Sequence, residues 1–321
     1  MRYVEVGGVR LSAIGLGCWQ FGSREWGYGN DYAEGEAGKI TRRALDLGIN
    51  LIDTAEIYAF GRSERIVRQA IADRRDEAFL ATKLFPILPI APVVEQRGRA
   101  SARRLGVDTI DLYQVHWPNP FVPDSTIMAG MRKLQDEGVV RNAGVSNYPL
   151  KRWRSAERTL GRPLLSNQVQ YSLAARKPDR DLVPYAAANN RLIIAYSPLA
   201  QGFLAAKYDA ANAPGGVRAG NPLFLAENLA RGSELLEALR DIAKAHDATP
   251  AQVALAWVIR RPNVVAIPGA SRVEQLERNA EAADLDLSDE EDARLADASD
   301  RFSPKTGVSA APDLLRARLK K

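Results

Sequence analysis

Short apolar segments that end in a polar residue recur along this chain at a near-constant interval. Segments 50–53, 79–83, 110–116, 139–146, 165–170, 191–197 and 264–268 read as strands. Six of their ends fall at 53, 83, 116, 146, 170 and 197, a spacing of about thirty residues, as βα units require. Between them, segments 36–48, 63–72, 92–105, 126–137, 149–160 and 180–189 carry helical periodicity. The interval to the last strand is longer. It holds a Gly/Pro-rich loop at 199–226 and helices at 232–246 and 250–260, the second started by Asp247-Ala248-Thr249-Pro250. The short run 13–17 completes eight strands. Eight strands alternating with helices predict an α/β fold, a (β/α)8 TIM barrel. Residues 1–12 alternate around Gly7-Gly8 and predict an N-terminal β-hairpin. Extra helices are expected near the C-terminus. Length and a single pattern favour one domain over 1–321.

Composition narrows the function classes. With 46% hydrophobic and 26% charged residues, the chain is of ordinary globular type. Cys18 is its one cysteine, so no intrachain disulfide can form, as expected in a reducing compartment. No apolar run suggests a signal peptide or a membrane span; a cytoplasmic location is expected, with no membrane partner. The +5 net charge is scattered over several helical faces, without interleaved aromatics. That argues against nucleic acid and for a small-molecule partner. His116 and His246 stand far apart with no Cys/His cluster, so no metal is expected. A doubly wound dinucleotide fold wants G-x-G-x-x-G. Here Gly15-Leu16-Gly17-Cys18-Trp19-Gln20 lacks the third glycine.

The chemistry collects at the strand ends. Asp53 closes one strand and Tyr58 follows in its loop. Lys83 ends the next strand and His116 the one after. In a (β/α)8 barrel these four converge on one face. A lysine ending an apolar strand needs a partner, and Asp53 is the natural one. Taken singly, each has a bland reading as a cap, a loop aromatic, a solvated charge or a core histidine. Four such coincidences on three successive strands are less economical than one site.

Asp53, Tyr58, Lys83 and His116 match the catalytic tetrad of the aldo-keto reductases in type, order and spacing. GVSNY (144–148), NQVQYS (167–172), YSPLAQGFL (196–204) and IPGASRVEQLERN (267–279) also resemble that family's motifs. The resemblance covers nearly the whole chain. It implies an oxidoreductase reducing aldehydes or ketones with NADPH. On that reading Tyr58 is the general acid, Lys83 lowers the tyrosine pKa, Asp53 orients Lys83, and His116 orients the carbonyl. The resemblance assigns the nicotinamide side of the cofactor site to Gly17, Cys18, Trp19, Asp53, Ser146, Asn147 and Gln168, with Tyr196 stacking on the ring. Ser197, Pro198, Leu199, Gln201 and Gly202 match the pyrophosphate-side loop. Ile267, Gly269, Ala270, Ser271, Arg272, Gln275 and Asn279 match the adenosine end. Many members carry a basic residue where this chain has Ser271. Arg272 alone then supplies positive charge to a 2′-phosphate, and NADH stays open as a cofactor. Trp19, Trp26, Tyr28, Tyr58, His116 and Trp117 are expected around the substrate, with Phe121, Phe203 and Phe224 as further aromatics. An aromatic mouth suits an apolar or aromatic carbonyl. Two rival readings stay open: a cofactor-holding regulatory subunit on the same scaffold, like the potassium-channel β subunits, and a sugar or alcohol dehydrogenase working oxidatively. Homo-oligomerisation is also open.

Overall fold

A computed structural model describes residues 1–22, 35–209, 212, 214 and 220–310. The chain opens on a hairpin of β1 (Tyr3–Val6) and β2 (Val9–Ser12). Gly7 and Gly8 join them with φ of 59° and 80°, the backbone a tight two-residue hairpin turn demands. Val4, Val6 and Leu11 bury their side chains against the core.

Eight parallel strands follow: β3 (Leu16–Gly17), β4 (Leu51–Asp53), β5 (Phe79–Leu84), β6 (Ile110–Val115), β7 (Val140–Ser146), β8 (Ser166–Gln170), β9 (Leu192–Tyr196) and β10 (Val264–Ala266). They pair in chain order from β3 to β10. Bridges Ile14–Ala266 and Gly17–Gly269 join the first strand to the last. Gly15 N donates to Ala266 O at 2.8 Å, and Ala266 N to Ala13 O at 2.9 Å. A Cβ on Gly17 would stand 2.7 Å from Ile267 O. The seam therefore closes only where the first strand carries no side chain, and the (β/α)8 barrel follows.

The covering helices are α1 (Ala37–Asp46), α2 (Arg62–Ile71), α3 (Ala91–Leu105), α4 (Asp124–Asp136), α5 (Leu150–Leu160), α6 (Leu182–Ala188), α7 (Ala226–Arg231), α8 (Ser233–Ala245), α9 (Pro250–Ile259), α10 (Val273–Glu281) and α11 (Asp289–Arg301). The helices expected from periodicity agree with these within two residues at each end. Thr249 and Gln252 form a reciprocal capping box at the start of α9. That helix is apolar all round because it lies buried, with α8 and α10 packed on it. Ser288 and Glu291 form the same box on α11, which packs against α8. This second box is a legible start signal for a helix that periodicity alone does not single out. Among the described residues no helix is long and apolar enough to cross a membrane.

Candidate active site

Strand alternation explains why the polar ends meet. Asp53 is the last residue of β4 and lies beside Ala81 in register. Lys83 is two residues beyond Ala81, so it shares the same interior face. Thr82 faces the other way and donates to Glu64 of α2 at 2.8 Å. Asp53 and Lys83 are almost wholly buried. Lys83 Nζ donates to Asp53 Oδ1 at 2.5 Å, Thr54 O at 2.8 Å and Tyr58 Oη at 3.3 Å. All three ammonium donors are filled. Gln168 Nε2 donates to the second Asp53 oxygen at 2.8 Å.

This geometry fixes the charges. Burial disfavours the Lys83 ammonium, but Asp53 and then Tyr58 outweigh it, so its pKa lies above the ordinary lysine value. Burial likewise pushes the Asp53 carboxyl up, against the pull of Lys83; the three filled donors identify the pair as charged. Tyr58 departs from expectation. Burial raises its phenol above the usual value, and Lys83 only partly reverses that. Lys83 does pull the phenol down, as expected, but burial outweighs it. Asp53 cancels much of the ammonium field, and the half-buried ring has lost solvent that would stabilise a phenolate.

His116 follows β6 immediately. Burial, then Lys83, lowers its pKa to about 2, so it is a neutral imidazole. It stacks on Trp117 at 3.8 Å between ring centroids and meets Tyr58 edge-on at 5.8 Å. Among the described residues His116 Nδ1 is buried without a partner. An unpaired lone pair costs less there than an unpaired N–H, which assigns the proton to Nε2.

Two acidic residues outside the expected set support this arrangement. Glu56 sits between Asp53 and Tyr58. Its Oε1 accepts from Phe85 N at 2.5 Å and its Oε2 from Arg97 Nε at 3.0 Å. Glu64, wholly buried, pairs with Arg104 of α3 at 2.5 Å. Together they tie the Tyr58 loop to the end of β5 and to α3. The sequence signal is slight: acids beside an active-site loop with arginines one helix later.

On the opposite side of the mouth, Tyr196 Oη donates to Asn147 Oδ1 at 2.9 Å. Asn147 Nδ2 donates to His116 O at 3.2 Å and Ser146 Oγ at 3.1 Å. Ser146 Oγ in turn donates to Gln168 O at 2.8 Å. Asn147 thus positions Tyr196 and His116 together. Cys18, Pro198, Ile267 and Ala270 are buried, so their side chains offer no open surface there. Burial, then Asp53, raises the Cys18 thiol well above its usual range. Gly17 lies in the barrel seam. Gly269 lies under Gln20, whose Nε2 donates to Ala270 O at 2.8 Å. Ser271 N and Oγ both reach Gln275 Oε1 at 2.9 Å. Asn279 is buried and reaches Gly269 O at 3.5 Å. Arg272 is exposed at the N-terminus of α10. Its side chain makes no hydrogen bond or ion pair among the described residues.

Backbone strain gathers at this mouth. Ala59, Phe60, Leu88, Asn147, Ser197, Ala200 and Gln201 all have φ between 45° and 61°, and every one lies on a loop after a barrel strand. Such conformations cost about 1–3 kcal/mol each. They re-aim the loops around the pocket, and Gly202 at φ 98° continues the turn beside Leu199. Of the expected substrate residues, Trp19 and Trp117 are exposed at the mouth and Tyr58 is half-buried; Trp26 and Tyr28 lie outside the described residues. Phe203 and Phe224 are corrected: both are buried, packing on each other at 6.3 Å. Phe203 also stacks on Phe302 at 5.2 Å. They anchor the loop after β9 to α11.

The family model for the aldo/keto reductase family matches residues 13–300. An uncharacterized oxidoreductase of Mycobacterium tuberculosis is 56% identical over 320 residues, covering 99% of each chain. The methylglyoxal reductase YeaE of Escherichia coli is 34% identical, covering 94% of this chain and 96% of its own. A crystal structure of an aldo-keto reductase from Klebsiella pneumoniae in complex with NADPH superposes with a TM-score of 0.76 at 33% identity, covering 92% of this chain and 93% of that one.

Proposed function

Because the chain belongs to the aldo/keto reductase family, an oxidoreductase family, we propose that it reduces aldehyde or ketone carbonyls to alcohols with NADPH. The observation that carries this reading is the contact of Tyr58 Oη with a buried, charge-balanced Lys83, beside a neutral His116.

The residues present fit the cofactor. Among the described residues Arg272 makes no hydrogen bond or ion pair, and it stands at a helix N-terminus without a side-chain cap, an arrangement that suits phosphate. The left-handed loop at Ser197, Ala200, Gln201 and Gly202 turns its backbone along the mouth. The half-buried Tyr196 ring is held by its hydroxyl, leaving a face for stacking. Ser146, Asn147 and Gln168 stand beside it. NADPH, when bound, supplies the hydride.

Every other step belongs to side chains. His116 donates its Nε2 proton in a hydrogen bond to the carbonyl oxygen and fixes its direction. Tyr58 transfers its phenolic proton to that oxygen as the carbon is reduced. The resulting phenolate is stabilised by Lys83 and regains a proton from solvent. Asp53 keeps Lys83 in place and protonated. A raised Tyr58 pKa keeps the phenol protonated at neutral pH, the state that carbonyl reduction uses.

A panel of carbonyls followed by NADPH absorbance tests this reading. Tyr58→Phe should lower turnover by ~10²–10⁴-fold with little change in cofactor affinity. Normal turnover in that variant removes Tyr58 from the mechanism.

A further inference from the structure

The barrel interior beneath the tetrad is polar on one side. Gln114 of β6 lies beside Lys83 in register, so the two share the interior face. His116, two residues further on, stands on the same face nearer the mouth. Gln114 is wholly buried, and the mechanism above gives it no task. Its amide is oriented from the far side. Ser166 Oγ of β8, also wholly buried, donates to Gln114 Oε1 at 3.1 Å. Gly144 of β7, in register with Gln114, makes room for that contact. A Cβ there would stand 2.5 Å from Ser166 Oγ and 3.1 Å from Gln114 Cγ.

With Oε1 taken, Nε2 is the end of the amide left to face Asp53. The reverse orientation would set an amide oxygen against a carboxylate. Nε2 completes no hydrogen bond among the described residues, and a buried donor without a partner is costly. Its pull nevertheless reaches Asp53. Burial pushes that carboxyl up, and Lys83, then Gln168 and Gln114, draw it down. Asp53 has acceptor capacity to spare. Its Oδ1 holds Lys83 and its Oδ2 holds Gln168, out of about four lone-pair sites. The two amides differ in place. Gln168 stands on the cofactor side, where a nicotinamide carboxamide competes for it. Gln114 lies deeper, out of reach of any ligand.

We propose that Gln114, oriented by Ser166, is a positioning residue that holds the Asp53 carboxylate from beneath in its pairing with Lys83 while the cofactor engages Gln168. The inference rests on the carbonyl-reductase reading, because Lys83 serves Tyr58 only while Asp53 holds it. It adds to that reaction a residue that touches neither substrate nor cofactor.

Two variants test it. Gln114→Met fills similar space without an amide. Ser166→Ala keeps the amide and removes what orients it. The readouts are thermal unfolding from pH 4 to 7, with and without NADP+, and the pH profile of kcat. The titratable groups around Asp53 are Lys83 of β5, Tyr58 after β4, Cys18 after β3 and His116 after β6. The first three are held above their ordinary values and His116 has a pKa of about 2, so none of them titrates in the folded protein within that range. The Asp53 carboxyl already lies above its usual value and rises further without Gln114. A group so shifted contributes stability below its unfolded pKa and loses it as pH rises through the folded one. The Tm deficit of Gln114→Met should therefore be small near pH 4 and grow toward pH 7, more steeply with NADP+ bound. The acid limb of kcat should move up by about one pH unit. Ser166→Ala should shift both in the same direction by less. Should Gln114→Met fail to fold, the Ser166→Ala profiles decide by the same criteria. A deficit equal at every pH with an unmoved acid limb makes Gln114 barrel filling and overturns the inference. So does a shift in Gln114→Met with none in Ser166→Ala, or a deficit that NADP+ leaves unchanged. A pH-dependent deficit in an enzyme that reduces no carbonyl keeps Gln114 with Asp53 and overturns the reductase reading instead.

Discussion

Replacing Lys83 by Met separates the two duties of the buried pair. Lys83 Nζ lies 3.3 Å from Tyr58 Oη. A phenolate and an ammonium at that separation attract by about 5 kcal/mol at an effective dielectric near 20. Asp53, 2.5 Å from the same ammonium, offsets part of this. A few kcal/mol of transition-state stabilisation remains, so turnover should fall by ~10²–10³-fold. The alkaline limb of residual activity should move to higher pH, because Tyr58 is already raised by burial and loses the one group that opposes it. Stability should fall too. Asp53 would keep Gln168 as a side-chain donor but lose its cation, and breaking a buried pair costs about 3–5 kcal/mol. The sign of its pH dependence follows from Asp53. Without Lys83, its carboxyl pKa in the folded state rises further above the unfolded value of about 3.9. Such a group contributes stability at pH below the unfolded value and loses it as pH rises through the folded one. The Tm deficit of Lys83→Met should therefore be small near pH 4 and large near pH 7. Adding Asp53→Asn should recover stability but not turnover. Thermal unfolding at several pH values and NADPH-linked rates measure both. A deficit independent of pH, or unrepaired by the double variant, refutes the buried-pair argument. An unmoved alkaline limb refutes the coupling to Tyr58.

Other perturbations probe the neighbouring groups. Arg272→Ala should weaken NADPH by about one to two orders of magnitude, the worth of a charge-assisted contact, and leave NADH nearly unchanged. Fluorescence titration of both cofactors reads this, and equal weakening would reduce Arg272 to a loop anchor. Glu56→Ala should cut kcat about tenfold or more with cofactor Kd unchanged, since it frees the Tyr58 loop from Phe85 N. Glu56→Gln, which keeps an acceptor there, should restore most of the loss, and equal losses in the two variants would disprove the clamp. His116, held neutral with a pKa of about 2, contributes stability above the unfolded histidine pKa that is lost as pH falls below it. Unfolding from pH 6.5 to 5 should lose on the order of 1–2 kcal/mol. His116→Asn should flatten that slope; an unchanged slope would assign the acid sensitivity elsewhere.

The alternation of apolar strands and periodic helices determined the (β/α)8 order, because each barrel unit repeats one local pattern and local patterns are written in consecutive residues. The same logic singled out Asp53, Lys83 and His116, since a polar residue ending a buried strand breaks a pattern that is otherwise regular. Gly7-Gly8 and Thr249-Pro250 announced a turn and a helix start through backbone chemistry that depends on neither partner nor packing. Other features arise between distant segments and have no local signature. Gly15 and Gly17 close the seam only because Ala266 and Ile267 lie against them. Glu56 and Glu64 become supports only because α3 brings Arg97 and Arg104 across. Phe203 and Phe224 are indistinguishable in composition from mouth aromatics, yet Phe302, about a hundred residues from Phe203, draws the first into the core. Tyr58 is the sharpest case. Its neighbour Lys83 is readable from spacing and argues for a lowered pKa. The direction is set instead by burial and by the opposing charge of Asp53, quantities that exist only once the barrel has closed around the phenol.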